Sequence, residues 1–165
     1  MIGNDIIDLE LANRESDWRR RGFLDKIFTD TEQDIILTHE MPESMVWILW
    51  SMKEAAYKIF NRQYGIRAYI PLLLRCAQPE IHNQVLFGKV YFEENIFYTK
   101  TLVSDECIDT IAVRTTEDLS KIKTIDNFTQ INKSKGLPEF YDLETNEYRP
   151  VSISHHGRFK KIVTL

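Results

Sequence analysis

Trp50-Ser51-Met52-Lys53-Glu54-Ala55-Ala56-Tyr57-Lys58 is the stretch that decides how this chain folds. Met45, Ile48, Leu49, Met52, Ala56 and Ile59 recur at helical spacing, which predicts one amphipathic helix from about 42 to 61. At ~100° per residue these apolar positions form a single stripe, and Glu54 and Lys58 point roughly the opposite way. Glu followed four residues later by Lys is also the order of a favourable surface pair, worth ~0.2–0.5 kcal/mol. Trp47 and Trp50 lie beside the charged pair instead of in the stripe. A purely solvated face rarely carries two indoles, so this second face is expected to line something partly buried.

Residues 1–9, with Ile2, Ile6, Ile7 and Leu9, predict a short strand. Residues 10–23 look helical and carry a basic patch at Arg14, Arg19, Arg20 and Arg21. Thr29-Asp30-Thr31-Glu32 has the form of a capping box and opens a helix with Ile35, Ile36 and Leu37. After the long helix the period changes. Segments 67–76, 85–93, 96–104 and 108–115 are rich in Val, Ile, Phe, Tyr and Thr and predict strands. Glu93-Glu94-Asn95 and Ser104-Asp105-Glu106 suit hairpin connections. Residues 116–135 are polar and permit either a short helix or a loop, and 140–143, 148–154 and 159–165 read as closing strands. Helices followed by antiparallel strands point to an α+β fold: one domain over 1–165, an antiparallel sheet packed against helices that include the long one.

The composition, 43% hydrophobic and 28% charged, is ordinary for a globular protein. A net charge of -4 argues against a generally basic nucleic-acid binder but leaves room for local basic patches. Cys76 and Cys107 form neither a metal spacing nor a disulfide framework, which fits a reducing cytosol and buried packing. The N-terminus carries acids where a signal peptide needs bases, and the apolar runs near 45–50 and 69–74 are too short to span a bilayer. The expectation is a soluble cytoplasmic protein with no membrane partner.

Two further sites stand out. In Gly3-Asn4-Asp5 a glycine permits close backbone approach just before a carboxylate, although an Asp at a strand end also serves as a turn former or helix cap. Capping is the default role for Asp8 and Glu10. Ser152-Ile153-Ser154-His155-His156-Gly157 places adjacent histidines before a glycine, suiting a bend where one imidazole reaches a ligand, or simply two turn residues. Adjacent histidines on an extended chain diverge and no Cys pair completes a set, so zinc is disfavoured. The inventory is two separated carboxylates, a lysine one turn beyond one of them, and a histidine after a strand. Mg²⁺ needs only one or two protein carboxylates beside water and phosphate oxygens. That suits phosphoryl transfer, where positioning and charge stabilisation do most of the work.

The order of motifs resembles the 4'-phosphopantetheinyl transferase superfamily. Its members carry G-x-D, F-[ST]-x-x-E, W-[ST/A]-x-K-E-A-x-x-K and S-[IL]-S-H. This chain has Gly3-Asn4-Asp5, Phe28-Thr29-Asp30-Thr31-Glu32, the segment 50–58 and Ser152-Ile153-Ser154-His155. The resemblance is close over roughly the first 60 residues and the last 15, and loose between. With G-x-D first and Ser-His last, the chain is similar to single-lobe acyl-carrier-protein synthases, which form trimers with sites between subunits. Two-lobed members have G-x-D-x-E, and Ile7 stands where that second acid would be. The strands over 67–115 enlarge the middle relative to single-lobe members, which leaves the homo-oligomer, a trimer if like them, open.

The resemblance implies a 4'-phosphopantetheinyl transferase-like fold and transfer of the phosphopantetheine arm of coenzyme A to a serine of an apo carrier protein, releasing adenosine 3',5'-bisphosphate. By motif match Asp5 and Glu54 would hold Mg²⁺. Glu54 and Lys58 would be catalytic, Lys58 meeting a phosphate on the leaving side. His155 would sit near the 3'-phosphate and Lys53 is a further coenzyme A contact. Either Glu54 or a water on the metal would be the base. The carrier, acidic and from fatty acid synthesis, polyketide synthesis or another pathway, would dock on Arg14, Arg19, Arg20 and Arg21. The alternatives are a non-catalytic coenzyme A or carrier-protein binding module, a structural domain whose charges are all surface pairs, and a small pyrophosphohydrolase.

Overall fold

The computed structural model describes residues 1–66, 68, 70–126, 131–134 and 136–165. Strand β1 (Ile2–Asp8) passes straight into helix α1 (Leu9–Glu15) because Asp8 caps it, accepting from the backbone N–H groups of Glu10 and Leu11. The cap expected of Asp8 is present. The helix expected over 10–23 is broken, however. α1 stops at Glu15, and a turn leads through Gly22, at φ 78°, into the short α2 (Phe23–Ile27). Arg14 is therefore helical, while Arg19, Arg20 and Arg21 lie in the turn, which corrects their placement on one helix. α3 (Asp30–Thr38) opens with the expected capping box, Thr29 and Glu32 each bonding the other's backbone.

The long helix, α4 (Pro42–Tyr64), starts with proline in its first turn and ends at Gly65, whose φ of 69° suits a residue without Cβ. Its apolar stripe is buried as expected, and so are Trp47, Ser51 and Lys53 outside the stripe. Phe23 stacks on Trp50 at 6.2 Å between ring centroids and meets Trp47 edge-on at 6.4 Å. What the two indoles line is thus α2 of the same chain.

The α+β fold with antiparallel strands packed on helices is as expected, and among the described residues the strands form three sheets. In the largest, β1 joins β2 (Arg75–Cys76), β3 (Glu80–His82), β4 (Val85–Phe92), β5 (Asn95–Val103) and β6 (Cys107–Val113) in the order β1-β6-β5-β4-β2, with β3 also on β4. α4 lies across one face, where Met52 and Ile59 share a core with Val90, Phe97 and Ala112. At Gly88 a Cβ would come 2.4 Å from Met52 Cε, so any larger residue there would have to displace the end of the Met52 side chain. The other face, at Ile2, Ile111 and Val113, is covered by Val163 of a second sheet. That sheet consists of β7 (Lys123–Thr124), β11 (Ser152–His156) and β12 (Phe159–Thr164), ordered β11-β12-β7. The third comprises β8 (Ile131–Ser134), β9 (Leu137–Asp142) and β10 (Glu147–Pro150), ordered β10-β9-β8.

The strand expected over 148–154 is in fact two. Val151 lies between them and donates its N–H to Pro138 O, after which the chain leaves β9 for β12. The strand expected over 67–76 is reduced to β2, because Pro71 sets a 3-10 turn at Pro71–Leu73. Arg67 and Tyr69 of that expectation, and 127–130 and 135 of the ambiguous stretch, lie outside the described residues. The rest of that stretch holds a 3-10 turn at Thr116–Ser120 with β7 and β8. Among the described residues no helix is long and apolar enough to cross a membrane.

Candidate active site

Gly3 brings β1 onto α4: a Cβ there would lie 2.0 Å from the Ala55 carbonyl oxygen, so no other residue permits this approach. Two residues on, Asp5 meets the helix. Its Oδ1 is 3.6 Å from Lys58 Nζ, and that ammonium also donates to the Asn4 carbonyl oxygen. Ser51 flanks the same carboxyl. Its buried hydroxyl makes no hydrogen bond of good geometry, yet it is near enough to favour the ionised acid. Ser51, Glu54 and Lys58 follow one another at three- and four-residue spacing and so share one stripe of α4. Asp5 reaches that stripe at both Ser51 and Lys58, which sets it over the turn that carries Glu54. The side chains of Asp5 and Lys58 are 15% and 30% exposed. Burial pushes the Asp5 carboxyl above its ordinary range, chiefly opposed by Lys58, then Ser51 and more weakly His156.

The opposite face of β1 is tied to β11. Asn4, fully buried, donates its backbone N–H to Ser152 Oγ at 2.9 Å, and its Nδ2 donates to Ser154 Oγ at 2.8 Å and Lys161 O at 3.2 Å. Further along, the Asp8 N–H donates to His156 Nδ1 at 2.9 Å. Arg158 grips the Asp8 carboxylate with its backbone N–H at 3.0 Å, Nε at 2.8 Å and an η nitrogen at 2.9 Å. These bonds hold the Asp8 acid far below the usual carboxylate range. Gly157, at φ 51°, allows this closeness, since a Cβ would stand 2.5 Å from Asp8 Oδ2.

Alternation along β11 then separates the two histidines. Ser152, Ser154 and His156 face β1, whereas Ile153 and the exposed His155 face the other way. Ile153 lines a cavity of about 190 Å³ together with Tyr57, Lys58, Asn61 and Arg62. The structure thus brings Asp5 and Lys58 to one contact between β1 and α4, with Glu54 on the same stripe of the helix, and sets His155 on the strand face that carries Ile153. The sequence marked His156 only as one of two adjacent histidines, without its Asp8 partner, and did not mark Arg158 at all. Their partners are brought in from about 150 residues away, and local sequence carries no signal for that.

Lys53 is elsewhere. Fully buried, its ammonium donates to Glu32 Oε2 and to Pro71 O, each at 2.8 Å, and lies 5.4 Å from the Phe28 ring centre. Glu32 also accepts from Thr29 N at 2.8 Å and Cys76 N at 2.6 Å. This network fastens α3, α4 and β2 together, and the expected ligand contact for Lys53 is corrected to a core ion pair. The signal was present in the sequence: the capping glutamate and the motif lysine are the two charges that α3 and α4 bury. Cys76 is likewise buried, and its thiol is pushed well up by that burial, whereas Cys107 is half-buried.

The donors suit a hard divalent cation. Asp5 is a carboxylate that burial disfavours as an anion and that one lysine only partly compensates. A second cation between Asp5 and Glu54 would complete the compensation, and Mg²⁺ takes one or two such oxygens beside substrate phosphates. Among the described residues no group of three or more His, Cys, Asp or Glu side chains gathers as a self-sufficient metal cage.

A family model for the 4'-phosphopantetheinyl transferase superfamily matches residues 1–102, which include β1, all four helices and most of β5. A search of curated proteins finds no match. The match covers more than half of the chain, and the chain belongs to this superfamily, as a transferase of the phosphopantetheinyl type.

Proposed function

From its place in this superfamily, we propose that the chain transfers 4'-phosphopantetheine from coenzyme A to a serine of an apo carrier protein, with Mg²⁺, releasing adenosine 3',5'-bisphosphate. The observation that carries the reading is the partly buried pair of Asp5 and Lys58, whose lysine lines a cavity and shares its helix stripe with Glu54.

In this reading Asp5 and Glu54 would hold Mg²⁺, which would supply Lewis-acid compensation of the pyrophosphate charge of coenzyme A. The serine oxygen forms a bond to the phosphorus that carries the pantetheine arm, and the bond from that phosphorus to the bridging oxygen breaks. Glu54 or a water would receive the serine proton. Lys58 is poised between Asp5 and the cavity, where its charge balances that which builds on the departing bisphosphate. His155, exposed on the face of β11 that carries Ile153, meets the 3'-phosphate in this reading.

The acceptor docks on the exposed Arg14, Arg19, Arg20 and Arg21. Arg19 stacks over the Trp18 ring at 4.2 Å, and its ion pair with Glu43, at 3.7 Å, is largely solvated and weak. Arg20 lies 5.5 Å from the centre of the Phe23 ring. The guanidinium groups are held on aromatic faces and turned to solvent, a form suited to an acidic partner. A panel of apo carrier proteins incubated with coenzyme A and Mg²⁺ tests the reading. A mass gain of one phosphopantetheine on a carrier supports it, and coenzyme A cleavage without any acceptor contradicts it.

A further inference from the structure

We propose that Asn4, the middle residue of Gly3-Asn4-Asp5, is a positioning residue that sets the donor selectivity of the site by fixing the strand that bears His155. The inference rests on the reading above, in which His155 meets the 3'-phosphate of coenzyme A.

Asn4 is bonded to both halves of the site. Towards α4, its carbonyl oxygen accepts from Lys58 Nζ. Towards β11, its N–H donates to Ser152 Oγ and its Nδ2 to Ser154 Oγ, with a third bond to Lys161 O on β12. β1 and β11 belong to different sheets, so no backbone ladder sets their relative position. The hydroxyls of Ser152 and Ser154 take that role, which gives the Ser-x-Ser of the motif a physical purpose: each accepts from Asn4, and His155 follows directly. An apolar residue at this point would pack against β11 but could not choose its register, because apolar contact is not directional. Asn4 also keeps its Oδ1 buried without a partner, a cost that an asparagine serving only to fill space would not carry. Among the described residues β1 is bonded to β11 and the hairpin beyond it at two points, Asn4 and, further along, Asp8 with its bonds to His156 and Arg158.

The test compares kcat/KM for coenzyme A and for dephospho-coenzyme A, which lacks only the 3'-phosphate. The wild type should prefer coenzyme A. Asn4→Leu, close to isosteric, should lower kcat/KM for coenzyme A roughly tenfold, the scale of one displaced hydrogen bond to a charged group. The loss with dephospho-coenzyme A should be no more than about twofold, so the preference collapses. Ser154→Ala should collapse it in the same way and Ser154→Thr, which keeps the hydroxyl, should restore it. In a His155→Ala background Asn4→Leu should change the ratio no further. Equal losses with both donors, for Asn4→Leu and Ser154→Ala alike, would show a merely structural role and overturn the inference. So would a retained preference. A wild type that transfers from both donors equally well would instead overturn the assignment of His155, and this inference with it.

Discussion

At Asp5 the burial of the carboxyl outweighs the pull of Lys58, so its folded pKa lies above the unfolded value. For such a group, ionisation weakens the fold as pH rises through the folded pKa, and nothing is lost below the unfolded value. Asp5→Asn removes that cost. The metal-free variant should therefore melt a degree or more above the wild type at pH 7, with the gap closing towards pH 4, while transfer activity is almost abolished. Thermal melts at the two pH values check this, and a variant less stable at pH 7 would contradict it. Stability given up for a charged site is a recurrent trade in enzymes. Lys58 and His155 should separate kinetically. Lys58→Ala should lower kcat as well as affinity, whereas His155→Ala should mainly raise the KM for coenzyme A, and unchanged kinetics in both would return these residues to ordinary surface charge.

Between elements, the Glu32–Lys53 pair joins α3 to α4 with both side chains out of water. Removing one member strands a buried charge, which costs about 3–5 kcal/mol. Lys53→Met should therefore shift the urea midpoint strongly downward, and protein that remains folded should keep its KM for coenzyme A within about twofold. A tenfold weaker KM with unaltered stability would return Lys53 to the ligand. This scale also shows what the sequence could disclose. The capping box and the long helix were legible because each depends on residues within one or two turns. The split at Val151 was not, because residues 148–154 are continuous in β propensity and only the partners, β9 for one half and β12 for the other, divide them. Nor was the break after Glu15 anticipated, where Ser16 leaves helical geometry and Gly22 turns the chain.

Across the whole molecule, the acidic chain presents Arg19, Arg20 and Arg21 together on one exposed turn. Reversing Arg20 and Arg21 to Glu should raise the KM for the carrier protein several-fold and leave that for coenzyme A little changed. Added salt should weaken the wild type more than the variant, because exposed charges are screened over ~8 Å at physiological strength. Equal loss for both substrates would locate the defect in folding or in the site. The candidate site itself was half legible: Asp5, Glu54 and Lys58 stand out by residue type and spacing, and the fold brings Asp5 and Lys58 to one contact. The Asn4, His156 and Arg158 bonds to the far end of the chain were not legible, since each depends on how the C-terminal hairpin lies over β1. The most direct measurement is the intact mass of an apo carrier protein after incubation with coenzyme A and Mg²⁺, with wild type and Glu54→Gln side by side. The account predicts one added phosphopantetheine on a carrier serine with the wild type, and almost none with Glu54→Gln or with the wild type in EDTA. Full modification by Glu54→Gln, or no modification of any carrier by the wild type, would contradict it.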